Sequence, residues 1–120
     1  MIYILMIFMH ILDDYCLQGI LASMKQKEWW RKQEQYKELY KYDYLIALIM
    51  HSFSWSFMVM LPIAITKQWS VSGLFIAFFF ANVVIHSFVD DLKANREKIN
   101  LWADQLIHII QIIITATILV

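Results

Sequence analysis

The stretch "VSGLFIAFFFANVVIHSFVDDLKANRE", Val71–Glu97, decides the fold. Its first fifteen residues are almost wholly apolar, and then a histidine and two adjacent aspartates follow. About 20 predominantly apolar residues make a helix long enough to cross a bilayer. Three more segments of the chain read the same way. Together the spans fall at about 1–23, 44–65, 71–92 and 101–120, with Asn100 placed to cap the last.

Composition agrees. The chain has 120 residues, 61% of them hydrophobic and 16% aromatic. An ordinary soluble domain is roughly 45–50% apolar. A soluble four-helix bundle would need wide polar faces at helical spacing. "FIAFFFANVVI" and "IIQIIITATILV" have almost none. Zero net charge gives no basic field for nucleic acid, and none is expected as a partner. The single cysteine, Cys16, excludes an internal disulfide. The N-terminus lacks the basic region and small-residue cleavage site of a signal peptide. The length suits one domain, 1–120.

Nine of the ten Lys and Arg residues lie in two connections, after the first and third apolar segments. The positive-inside rule puts those connections in the cytoplasm and both termini outside. The first connection, about 25–42, contains Glu28–Lys32 and Glu34–Lys37 helical spacings and several Trp and Tyr residues. It reads as an amphipathic interfacial helix against anionic lipid, with a solvated charged hairpin as the bland alternative. The expected fold is therefore all-α: a four-transmembrane-helix up-down bundle with an interfacial helix between helices 1 and 2.

Each span carries one histidine. His10 precedes Asp13 and Asp14, His51 sits in "MHSFSW", His86 precedes Asp90 and Asp91, and Asp104 precedes His108. The reversed order in the last span matches its opposite direction in an up-down bundle. Residues i and i+4 share a helix face, so His10/Asp14, His86/Asp90 and Asp104/His108 each make one polar face. His51 and His108 each lie seven residues past the expected start of their helix, at similar depth. Asp13 and Asp91 fall further round, as caps or supporting groups. Asp90 and Asp91 lie at a helix C-terminus, where carboxylates are disfavoured and a cation would relieve them.

Imidazole with carboxylate suits zinc first, and manganese or iron as well. The expected metal ligands are His10, Asp14, His51, His86, Asp90, Asp104 and His108, with Asp14, Asp90 and Asp104 as candidate catalytic carboxylates. The bland alternative is a metal-free His–Asp network that locks the bundle.

The motifs "HILDDYCLQ", "HSFSW", "HSFVDDLK" and "ADQLIHIIQ" resemble those of the domain of unknown function 3307 family, small bacterial and phage membrane proteins. That family's pattern is His-x-x-x-Asp-x-x-x-Gln, a lone His, His-x-x-x-Asp, then Asp-Gln-x-x-His. The matching residues are His10, Asp14 and Gln18; His51; His86 and Asp90; and Asp104, Gln105 and His108. The resemblance implies the site and the topology, and no reaction. The His-x-x-x-Asp arrangement is also similar to that of small membrane-bound metal-dependent hydrolases.

Three functions compete on this reading. One is a membrane metal-dependent hydrolase acting on a lipid-linked or phosphorylated substrate, with Lys93 and Arg96 placed to attract phosphate. The second is a structural or partner-binding membrane protein whose His/Asp centre only holds the fold. The third is proton or metal-ion transport, which would need a homo-oligomer to build a path.

Overall fold

The computed structural model describes residues 1–33 and 38–120 and is all-helical, with no strand among the described residues. Helix α1 spans Ile2–Leu12 and runs into a π turn at Asp13–Leu17. Two short helices follow, α2 at Leu21–Met24 and α3 at Lys27–Arg31, then a 3₁₀ turn at Glu38–Tyr40. The long helices are α4 (Asp43–Thr66), α5 (Gly73–Ala94) and α6 (Leu101–Leu119).

Among the described residues, three helical stretches are long and apolar enough to cross a membrane: Glu38–Thr66, Gly73–Ala94 and Leu101–Leu119. Four were expected. The difference lies in the first segment. Gly19 adopts a left-handed backbone (φ +52°) that a Cβ would disfavour, and the helix stops there before α2 restarts. The 11-residue α1 and the five-residue π turn therefore stand apart from the short α2. Of the expected interfacial helix over 25–42, the structure describes α3 and the 3₁₀ turn; residues 34–37, with the Glu34–Lys37 spacing, lie outside the described residues.

Side-chain hydroxyls and amides start two helices. Ser72 accepts from the Phe75 amide at 3.1 Å, and Asn100 accepts from the Ala103 amide at 3.0 Å. Each satisfies an N–H that the helix leaves unpaired. Helix α4 packs against α1, α2, α5 and α6, while α6 also meets α1 and α5. Met6, Trp55, Val59, Met60, Ile63, Ile112, Ala116 and Leu119 form the apolar core. Phe8, Phe57, Phe80 and Phe88 point outward and are half exposed, so the outer surface is apolar as well. That is the reverse of a water-facing bundle.

Candidate metal centre

At one end of this core, polar side chains replace apolar ones. His10, Asp13, His51, His86, Asp90, Asp104 and His108 are all buried, each no more than 2% exposed. Charges so placed need partners, because leaving water is costly.

Asp90 is the hub. Its Oδ2 lies 2.7 Å from Lys25 Nζ, 2.9 Å from His51 Nε2 and 3.5 Å from His86 Nε2. Its Oδ1 lies 3.0 Å from His108 Nε2. Helices α4, α5 and α6 and the end of α2 thus meet at one carboxylate.

His51 Nε2 is oversubscribed. Besides Asp90, it has His86 Nε2 at 3.1 Å, Lys25 Nζ at 3.4 Å and Asp14 Oδ1 at 3.4 Å. An imidazole nitrogen offers one donor or one acceptor, never both. It cannot donate to the carboxylates and accept from the ammonium together. Asp14 Oδ1, His51 Nδ1, His86 Nδ1 and Asp104 Oδ1 are buried with no hydrogen bond at all. The carboxylate oxygens and the Nε2 atoms that converge here offer more lone pairs than protons, which fits a cation; the two Nδ1 atoms lie on the far side of their rings.

Two ligand triads share His86: Asp14/His51/His86 and His86/Asp90/His108, each with its ligand atoms within 4.8 Å of one another. No family model, curated protein or solved structure matches the chain. The chemistry of the site therefore rests on its own residues.

His108 is held from behind. Its Nδ1 donates to Gln111 Oε1 at 3.0 Å. Gln111 Nε2 donates to Asn82 Oδ1 at 3.0 Å, and Asn82 Nδ2 donates to Thr115 Oγ1 at 2.9 Å. With Nδ1 protonated, Nε2 faces Asp90 Oδ1 and Asp104 Oδ1 (3.3 Å). It then needs a second proton or a shared cation. Such supporting hydrogen bonds orient metal-ligating histidines elsewhere. Replacing Gln111 with leucine orphans two buried groups, His108 Nδ1 and Asn82 Oδ1. The expected cost is about 1–3 kcal/mol for each orphaned group, read by chemical unfolding in micelles.

His10 stands apart from both triads. Its Nδ1 accepts from Trp55 Nε1 at 2.7 Å, and its Nε2 pairs with Gln105 Oε1 at 2.9 Å. The indole N–H only donates, so His10 carries its proton on Nε2 and both nitrogens are used. Trp55 also stacks on His86, with centroids 4.2 Å apart, and His86 stacks on His108 at 4.1 Å. Asp13 accepts from Gln18 and from Ser54 Oγ at 2.9 Å, the first a contact across the π turn. Asp91 takes Asn95 Nδ2 at 2.7 Å and Arg96 Nε at 3.1 Å, outside the cluster. Asp104 Oδ2 takes Gln105 Nε2 at 2.9 Å and Lys93 Nζ at 3.3 Å. Of the two residues expected to attract phosphate, Lys93 borders the cluster and Arg96 pairs with Asp91.

The sequence reading did not place Lys25, Trp55 or Asn82 here. Two of them carried a signal. Asn82 precedes His86 by four residues and Trp55 follows His51 by four, each on a shared face. Lys25 carried none, because it stood among other lysines in a basic connection. Beside the cluster lies a cavity of about 450 Å³ lined by Asp14, Tyr15, Lys25, Gln26, Lys93 and Gln105.

Proposed function

We propose that the chain is an integral membrane protein whose four apolar segments form an up-down bundle, and that its His/Asp centre holds a divalent metal near the cytoplasmic face. The observation that carries this reading is the pair of triads sharing His86, Asp14/His51/His86 and His86/Asp90/His108, each with its ligand atoms within 4.8 Å of one another. Asp104 lies beside them, within 3.3 Å of His108 Nε2. Mixed imidazole and carboxylate favours zinc, with manganese or iron compatible. The two basic connections set the cytoplasmic side. The short first segment, ended at Gly19, is accommodated by local thinning of the bilayer. The three His/Asp motifs and the lone His51 support membership of the domain of unknown function 3307 family.

The activity that best uses this centre is hydrolysis of a phosphorylated or lipid-linked substrate. A divalent ion would supply Lewis acidity toward a phosphoryl or carbonyl group. The chain's own residues supply the rest. Lys25 and Lys93 line the adjoining cavity beside Asp14 and are the cations there that would meet a phosphate. Asp14 lines that cavity, and its buried Oδ1 makes no hydrogen bond, so it is the carboxylate there with a free acceptor to take a proton from water, with Asp104 and Asp90 behind it. Gln111 and Asn82 keep His108 Nε2 turned toward the carboxylates.

Elemental analysis of protein purified in detergent tests the reading. A retained transition metal that is lost in His86→Ala is the expected result. Absence of metal, together with no thermal stabilisation on adding zinc, manganese or iron, overturns it. The non-catalytic reading is favoured by one contact, the 2.7 Å pair between Lys25 and Asp90, through which the cluster supplies its own cation. On that reading added metal leaves stability unchanged and Asp90→Asn unfolds the protein.

A further inference from the structure

Lys25 is the least expected member of the cluster. It is 9% exposed, and its Nζ approaches Asp90 Oδ2 at 2.7 Å and His51 Nε2 at 3.4 Å. Asp90 and His51 are also candidate cation ligands, one in each of the two triads that share His86. An ammonium bridging those two residues and a divalent ion in either triad would share a ligand residue and lie close enough to repel in a buried site.

We infer that Lys25 is a tethered cation that competes with the metal for its ligands: its ammonium holds Asp90 and His51, one ligand from each triad, when the metal is absent, and vacates that seat when the metal binds. This rests on the metal-binding reading above and adds a second occupant to it.

Three observations make the exchange mechanically simple. The Lys25 backbone is pinned, because Asn95 Nδ2 donates to the Lys25 carbonyl at 3.0 Å while Asn95 Oδ1 accepts from the Lys27 amide at 2.8 Å. The side chain therefore swings from a fixed base, on a flexible four-carbon stem. The cavity of about 450 Å³ that Lys25 itself lines gives the displaced ammonium somewhere to go. There it would meet Tyr15, Gln26 and Gln105, and would present its charge to an anion entering the cavity. The same lysine would thus guard the carboxylate when the ion is absent and greet a phosphate when it is present.

The arrangement sets the apparent metal affinity. If the lysine-in state dominates by about ten to one, metal binding is weakened about tenfold relative to the vacated seat. Lys25→Met removes the competitor while keeping an apolar stem.

The test uses the full chain in detergent micelles with cobalt(II) as the probe ion, followed by its visible absorption. Lys25→Met is expected to bind cobalt(II) at least about tenfold more tightly than the native chain. In the native chain, labelling of Lys25 by an amine-acylating reagent, read by mass spectrometry, is expected to rise several-fold on saturation with cobalt(II). Lys67, exposed on the α4–α5 turn, is the internal reference and should not change. The labelling arm needs no variant, so the inference stays testable if Lys25→Met does not fold. Equal affinities, or Lys25 labelling unchanged by bound cobalt(II), overturns the exchange and leaves the metal site standing. No cobalt(II) binding by either chain overturns the metal site and the exchange together.

Discussion

Asp90→Ala is expected to destabilise the protein by about 3–5 kcal/mol, the largest effect of any single carboxylate change here. The reason is the number of groups it leaves behind. Lys25, His51, His86 and His108 all lie within 3.5 Å of the Asp90 carboxylate. Removing it strands a buried ammonium and leaves His108 Nε2 facing Asp104 alone. Chemical unfolding in micelles, with Asp104→Ala alongside, measures the difference. Asp104 is shared with Lys93, whose side chain is 32% exposed and can turn to water, so its removal should cost less. A loss under about 1 kcal/mol for Asp90→Ala would mean that the cluster is not held through this carboxylate. Combining Asp90→Ala with Lys25→Met should recover part of the loss, because the stranded charge goes too.

Trp55→Ala is expected to cost about 3–5 kcal/mol by the cavity it opens, and to loosen the site as well. Trp55 is fully buried and belongs to the apolar core. Its ring plane lies 20° from that of His86, and its indole N–H is the donor that His10 Nδ1 requires. It therefore joins packing to site geometry. Trp55→Phe restores most of the volume but not the donor. The residual cost of Trp55→Phe relative to the native chain reports the hydrogen bond to His10, worth about 1 kcal/mol, and the gap between the two variants reports the ring volume. If Trp55→Phe unfolds as readily as Trp55→Ala, the bond and not the ring volume dominates.

Much of this site is legible before any coordinates. The i,i+4 pairs put His86 with Asp90 and Asp104 with His108, and both pairs meet at Asp90 and His108 in space. Apolar runs marked α4, α5 and α6 because almost no polar face interrupts them. Two things were hidden. One is the break at Gly19, where a single left-handed residue ends an apolar segment that hydropathy reads as continuous. The other is Lys25. Charge patterning assigns a lysine in a basic connection to solvent or headgroups, and only the turn back through α2 brings its ammonium inward. His10 shows the opposite limit. Its spacing from Asp14 matches that of a ligand pair, yet the indole of Trp55 on another helix takes its Nδ1. Spacing along one helix cannot reveal a partner from the next.

That several of the buried polar groups find partners on a different helix bears on how the chain is assembled. A charged residue at mid-membrane costs about 2.5–3.5 kcal/mol on insertion scales. In a bilayer, the first segment would enter with Asp13 served by Gln18 nearby, and with Asp14 waiting for His51. Arrival of α4 would bring Ser54, Trp55 and His51 to that first segment. When α5 follows, Asp90 meets a lysine and a histidine that are already synthesised. Only His108 and Asp104 come last, and both close onto groups then in place. For Asp90 and Asp104, order of synthesis and order of neutralisation run together, since each meets at least one partner already made.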